Sequence, residues 1–318
     1  MRVIDDLNIA VIGAGGVGGF YGGLLAKGGE KVVFIARGKH LDALKSRGLI
    51  VRSPFGNFSI KTEATDTTRG LKPVDLVLLT VKTYDTERAL PLLPALCGRD
   101  TVVLSLQNGV DSAERVAQVV GWEHVIGGLT YVESRIEQPG VIMQTSKFHR
   151  IIVGELDGRV TNRLVQVQSS FRKAGIDCEV STIIRQALWE KFLFLCPFAE
   201  VTSITQSSIG EVLEFPATRN LVTKAMEEIV EIALAQGIAL ESKDINAAIH
   251  TAERFQYESR TSMQRDMESN KPSEIDSLTG KVVALGKQHS VPTPLHDLIY
   301  ACLKIRDLKN SRSRVNRS

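Results

Sequence analysis

The sequence predicts an α/β first half followed by an all-helical second half. Three observations carry this. The chain opens with a buried strand, a glycine turn and a helix in "LNIAVIGAGGVGGFYGGLLAKGG". Apolar strand segments and helical ones then alternate to about Ser181. After Thr182 the strand signal fades into long segments of helical period. At 318 residues, 43% hydrophobic and 24% charged, the chain can build two ordinary cores. The expected division is 1–181, 182–308, and a basic, disordered tail at 309–318.

Gly13, Gly15 and Gly18 fit GxGxxG between the first strand and the first helix. Gly13 allows the tight turn, Gly15 lets a pyrophosphate reach the backbone, and Gly18 lets helix and strand pack closely. The free N–H groups of the helix start then face the phosphates. This predicts a Rossmann-type dinucleotide-binding domain; the plain alternative is a glycine-rich structural turn. The next strand, "KVVFIAR", ends in Arg37, where an NAD site carries Asp or Glu for the ribose 2′-hydroxyl. A cation suits a 2′-phosphate, so NADP (as NADPH) is expected. The alternative for Arg37 is a solvated basic loop.

Two more strands, Asp75–Val81 and Asp100–Leu106, end in "KTYD" and "QNGVD". Ligands collect at the carboxyl ends of strands in open parallel sheets. Lys82 and Asn108 are therefore expected at the cofactor crevice, binding cofactor or substrate. The alternatives are an exposed loop lysine and an Asn-Gly turn. Short β strands flank a Pro139-Gly140 turn, and "GIDCEVS" closes the domain.

In the second half, "EFPATRNLVTKAMEEIVEIALAQGIAL", "SEIDSLTGKVVALGKQH" and "TPLHDLIYACLKIRD" read as helices, the last with Thr293 as cap and Pro294 in its first turn. Within "ALWEKFLFLCPFAEV", Lys191 stands beside Trp189, Phe192, Leu193, Phe194 and Leu195. Either its stem threads out to water or its ammonium faces an internal cleft.

Composition excludes several classes. Formal charge is +3, and the tail's Lys309, Arg312, Arg314 and Arg317 exceed it, so the rest of the chain is slightly acidic. No basic face for nucleic acid is expected. Cys97, Cys178, Cys196 and Cys302 are far apart, which argues against structural zinc or a disulfide framework; Cys178 and Cys196 read as small buried hydrophobes, and no metal site is expected. The N-terminus does not read as a signal peptide, and no apolar run approaches a membrane span. A cytoplasmic protein is expected, and a homodimer is compatible with the apolar helical half.

From "GAGGVGG" through "ARGKH", "VKTYD", "QNG", "WEK" and "TSMQRDMESNKPSEIDSLTG", the chain resembles the ketopantoate reductase family nearly end to end. The tryptophan-anchored lysine and the last stretch are its specific parts. The resemblance implies a Rossmann domain binding NADPH, a helical domain closing over it, and reduction of a small 2-oxo acid, with ketopantoate (2-dehydropantoate, giving pantoate for pantothenate biosynthesis) leading. It maps the family lysine onto Lys191, the glutamate onto Glu274, the serine onto Ser262, and two positioning groups onto Lys82 and Asn108. The chemistry is coherent: hydride addition leaves charge on the carbonyl oxygen, which a nearby ammonium stabilises and protonates. Glu274 would hold or recharge the lysine, and Ser262 would bind the substrate carboxylate. The bland alternatives are an acid in a helix's first turn for Glu274 and a helix cap for Ser262.

The chain also departs from the family. Leu195, Ala199 and Ser259 stand where ketopantoate-reducing members carry asparagines, and Pro197 falls inside the lysine's helix. An apolar wall does not select for a substrate hydroxyl as a polar one does. Thr202, Ser203 and Thr205 offer hydroxyls nearby. The rival expectations are a same-fold reductase of another carbonyl or imine, and a non-catalytic NADPH-binding sensor.

Overall fold

A computed structural model describes the backbone of residues 6–315 and side chains as far as Asn310. Residues 1–5, on which the signal-peptide reading partly rests, and the side chains of Arg312, Arg314 and Arg317 lie outside the described residues. The chain forms two compact units, Met1–Gln107 with Asp111–Ile184, and Asn108–Val110 with Arg185–Ser318. The division falls at Ile184 rather than Ser181. Ile184 belongs to the first unit because its side chain fills the space over Gly127 and Gly154. The transfer of Asn108–Val110 to the second unit has no counterpart in the sequence reading.

The first unit contains β1 (Asn8–Ile12), α1 (Gly16–Lys27), β2 (Lys31–Ile35), α2 (Gly38–Arg47), β3 (Leu49–Arg52), β4 (Phe58–Ile60), β5 (Glu63–Thr65), β6 (Val74–Leu79), α3 (Thr86–Ala89), β7 (Cys97–Ser105), α4 (Ser112–Val120), β8 (Val125–Tyr131), β9 (Ser134–Gln138), β10 (Val141–Gln144), β11 (Arg150–Gly154), α5 (Asn162–Lys173) and β12 (Asp177–Val180). The main sheet has the order β12-β11-β8-β7-β6-β1-β2-β5. From β5 to β8 neighbouring strands are parallel, whereas β11 runs antiparallel to β8. Both faces are covered. On β1, Ile9 and Val11 enter one core while Ala10 and Ile12 enter the other, and β6 divides Leu76 and Leu78 from Val77 and Leu79 in the same way. That two-sided burial is why these strands read as unbroken apolar runs. A second sheet, β4-β3-β10-β9, packs against α1, with Gly19 facing Ile142.

The second unit is helical: α6 (Ile184–Thr205), α7 (Ile209–Glu214), α8 (Pro216–Ala235), α9 (Ser242–Glu253), α10 (Ser262–Glu268), α11 (Thr279–His289) and α12 (Pro294–Val315) surround one apolar core, which Val110 also joins. Two expectations change here. The helix expected from Ser273 starts only at Thr279. Ser277 and Leu278 donate their N–H groups to the Glu274 carbonyl, and Leu278 sits at φ −102, ψ −94, outside helical geometry. Ile275 and Leu278 are core residues on a turn, which gave them their apparent stripe. The tail expected from Lys309 is instead a continuation of α12 to Val315. No Gly or Pro follows Pro294. Asp307 and Asn310 tie this end down by accepting from Ser273 and donating to the Met267 carbonyl. Among the described residues, no helix is long and apolar enough to cross a membrane.

Candidate active site

In the first unit the strand order reverses between β1 and β6, where an open α/β sheet binds its ligand. The two strand ends are laced together: Thr80 donates its N–H to the Ile12 carbonyl at 2.9 Å and its hydroxyl to the Gly13 carbonyl at 2.8 Å. Gly13 adopts φ +99, and a side chain there would lie 2.7 Å from the Val81 nitrogen. A Cβ on Gly18 would lie 2.2 Å from both the Gly13 carbonyl oxygen and the Thr80 hydroxyl. Gly15, by contrast, has open space where its Cβ would point, and it heads α1 with no side-chain cap and no acid in the first turn. Unfilled space before uncapped helix N–H groups fits a pyrophosphate.

Arg37 follows β2 and heads α2. It forms an ion pair with Asp85 at 3.0 Å while remaining mostly exposed. Lys82 follows β6, half-buried, at the start of the turn Thr83–Asp85. Gln107, at the end of β7, donates to the Val81 carbonyl at 2.9 Å and to the Thr86 hydroxyl at 2.8 Å, fixing the strand end that precedes Asn108.

In the second unit, α6 carries Lys191 between Trp189 and Phe192, which are one turn apart and whose rings meet edge-on at 5.8 Å. The lysine does not thread out to water. Its Nζ donates to the Asn108 Oδ1 at 3.1 Å, and the Asn108 Nδ2 donates to the Glu274 Oε2 at 3.4 Å. One amide thus joins an ammonium and a carboxylate through its two ends. Burial pushes the Lys191 pKa down to about 8, partly opposed by the Glu274 charge. Glu274 is 3% exposed, in the turn before α11. It is positioned by its neighbour Ser273, whose N–H and hydroxyl both donate to Asp307 of α12, at 3.1 and 2.7 Å.

The structure therefore joins Asn108, Lys191 and Glu274, leaves Lys82 with the first unit, and sets Ser262 in the first turn of α10 outside that hydrogen-bonded trio. The cap of α10 is Thr261, one residue earlier, accepting from the Gln264 N–H. Ala199 is fully buried and Leu195 packs against the same core. Thr202 and Thr205 donate their hydroxyls to the carbonyls of Phe198 and Val201, one turn back.

A turn shaped for a dinucleotide and a buried lysine held by an amide and a carboxylate define a family. The model of ketopantoate reductase PanE/ApbA matches residues 9–158, and that of its C-terminal part matches 183–307. The chain belongs to the ketopantoate reductase family. It is 32% identical to the 2-dehydropantoate 2-reductase of Pyrococcus horikoshii, over 95% of this chain and 98% of that one. The PanE/ApbA family ketopantoate reductase of Ralstonia eutropha JMP134 superposes with a TM-score of 0.87 at 29% identity, covering 95% and 99% of the two chains. D-mandelate dehydrogenase, solved with NADH and anilino(oxo)acetate, shares the fold at a TM-score of 0.86 and 20% identity, over 95% and 99%. As a family member the chain is an oxidoreductase that binds a nicotinamide dinucleotide.

Sequence reading missed the supporting groups of this reductase. Thr80 and Gln107 stand within or beside the quoted strand ends, where a polar residue closing an apolar run was the available signal. Asp85 and Asp307 gave no local signal, because each acts on a residue distant in the chain.

Proposed function

We propose that this enzyme reduces a small 2-oxo acid to the 2-hydroxy acid with NADPH, with 2-dehydropantoate the first candidate and Lys191 the proton donor. The supporting observation is the Lys191 ammonium, held by Asn108 beside the buried Glu274 with its pKa near 8. NADPH, when bound, would supply a hydride to the carbonyl carbon. Lys191 stabilises the charge developing on the carbonyl oxygen and passes it a proton, and water recharges the amine. Asn108 aims the amine. Glu274 keeps it protonated near neutrality, Ser262 and Lys82 take the substrate carboxylate and the cofactor side, and Gly13, Gly15, Gly18 and Arg37 hold the dinucleotide.

Leu195 and Ala199 favour a second reading within the same chemistry, a 2-oxo acid with a larger apolar substituent. The hydroxyls of Thr202 and Thr205 that would otherwise soften this wall are already committed to backbone carbonyls, which leaves only that of buried Ser203. The anilino(oxo)acetate bound by D-mandelate dehydrogenase is a compound of that kind. Following NADPH absorbance with 2-dehydropantoate and with aliphatic and aromatic 2-oxo acids decides between them. Turnover of 2-dehydropantoate supports the first reading and turnover of only apolar members supports the second. Tight NADPH binding with no turnover of any member counts against both.

Glu274→Gln gives a directional test. The Glu274 charge raises the lysine's pKa against the effect of burial. Neutralising it moves the alkaline limb of kcat/KM below about 8, so activity at pH 7.5 falls and recovers as pH is lowered, with Glu274→Asp partly restoring the profile. A limb that stays put or moves up removes Glu274 from this role. We also propose a cytoplasmic location, from four unpaired cysteines, and a homodimer, from the exposed Leu298, Cys302 and Ile305 at helical spacing on α12.

A further inference from the structure

Away from Lys191, the core of the helical unit contains a polar cluster that the reaction does not use. Cys196 and Glu200 lie one turn apart on the same face of α6, and His296 approaches from the first turn of α12. All three side chains are 0% exposed. Their Sγ, carboxylate oxygen and ring nitrogen lie within 4.8 Å of one another. Cys196 Sγ is 3.2 Å from Glu200 Oε1.

The histidine ring is oriented from behind. Glu228 on α8 accepts the N–H groups of Leu295 and His296 at 2.9 and 3.2 Å, and its Oε2 lies 2.5 Å from His296 Nδ1. With Nδ1–H donating to Glu228, a neutral ring turns the Nε2 lone pair toward Glu200 Oε2. These two atoms face each other at 3.5 Å, and neither makes a hydrogen bond of good geometry. The Thr279 hydroxyl also acts on the Glu200 carboxylate, but it does not separate the two opposed acceptors, which in a dry core call for a cation between them: a proton or a metal ion.

We propose that Cys196, Glu200 and His296 form a buried site for a divalent transition metal of the zinc class. The donor set is one thiolate, one carboxylate and one imidazole, the mixture zinc accepts. Thiolate and carboxylate together balance a divalent cation, so the only charge left over is that of the Glu228 carboxylate, whose side chain is 14% exposed. The Glu228 carboxylate on Nδ1 is the outer partner that metal-bound histidines characteristically carry, fixing the tautomer that exposes Nε2. The second carboxylate oxygen of Glu200 or one water completes the coordination. The site ties α6, which carries Lys191, to α12, which positions Glu274 through Asp307, so its role is structural and its readout is independent of turnover. The sequence hid it because Cys196 reads as a small apolar residue and His296 lies on another helix.

The test uses the full chain produced in media supplemented with zinc or with cobalt, then dialysed against chelator. About one metal per chain is expected by atomic emission, with the cobalt form showing thiolate-to-metal charge transfer in the near ultraviolet and visible bands of tetrahedral cobalt. Cys196→Ser abolishes the near-ultraviolet band, and His296→Gln lowers metal content at least about tenfold. Should either variant fail to fold, the cobalt spectrum of the natural chain decides alone. Retention of no metal, absence of the thiolate band, or equal metal content in a folded Cys196→Ser, His296→Gln double variant overturns the assignment and leaves a proton in the metal's place.

Discussion

Lys191→Ala lowers kcat at least about 100-fold and leaves NADPH affinity largely intact. The amine is the member of the Asn108–Lys191–Glu274 trio whose pKa is brought toward neutrality. Asn108 is an amide with no acidic proton to give, and a Glu274 carboxylate oxygen accepts from that amide. A pKa of about 8 keeps most of the amine protonated at pH 7 and weakens its hold on the proton relative to the ordinary 10.5. Lys191→Arg separates two contributions. A guanidinium keeps the positive charge but cannot release a proton, so the variant remains far below the natural enzyme if transfer matters and recovers if charge alone does. Normal turnover in Lys191→Ala, measured as steady-state NADPH oxidation, takes Lys191 out of the mechanism.

The same burial carries a stability cost with a definite sign. The folded pKa lies below the unfolded one, so folding is opposed by the charged amine at neutral pH and below. Between about 8 and 10.5 the unfolded chain binds the proton and the folded chain does not, so this contribution makes stability rise with pH in that window. At neutral pH the shift corresponds to about 3 kcal/mol. A protein keeps such a cost where the poised amine is useful.

How much of this was legible depended on whether the deciding physics was local. Gly13, Gly15 and Gly18 were readable because backbone conformation and close approach are imposed over a few adjacent residues, and the structure gives each a separate steric cause. Lys191 was readable as a charge in an otherwise apolar helix. The membership of Asn108 in the second unit was not, because only the tertiary fold brings it to Lys191. Residues 273–289 carry a helix-like apolar pattern, yet the first part is a turn whose apolar residues happen to point into the same core as α11. The tail misled in the other direction: its charge suggested disorder, while helix-compatible residues, and anchors at Asp307 and Asn310, carry α12 onward. Cys196, Glu200 and His296 show the limit most clearly, since only one pair of the three shares a helix face.

Arg37→Asp reduces the preference for NADPH over NADH by about 100-fold. NADPH and NADH differ at the 2′ position alone, so a residue acting there changes one affinity and spares the other. Arg37 stands where β2 gives way to α2, and Asp85 holds one side of its guanidinium at 3.0 Å. That contact fixes the fork without consuming it: a guanidinium has five N–H donors and this one is mostly exposed. Losing a charge-assisted hydrogen bond costs about 1.5–3 kcal/mol. Each 1.4 kcal/mol, roughly, is tenfold in affinity, and a carboxylate facing a phosphate adds repulsion. Aspartate at 37 would also face Asp85, so Arg37→Gln is the companion, removing the attraction without introducing either repulsion and falling between the two. Dissociation constants for both dinucleotides, from nicotinamide fluorescence, give the ratio directly. An unchanged ratio, or equal weakening of both, means that Arg37 only closes a surface ion pair with Asp85 and that 2′-phosphate recognition lies elsewhere.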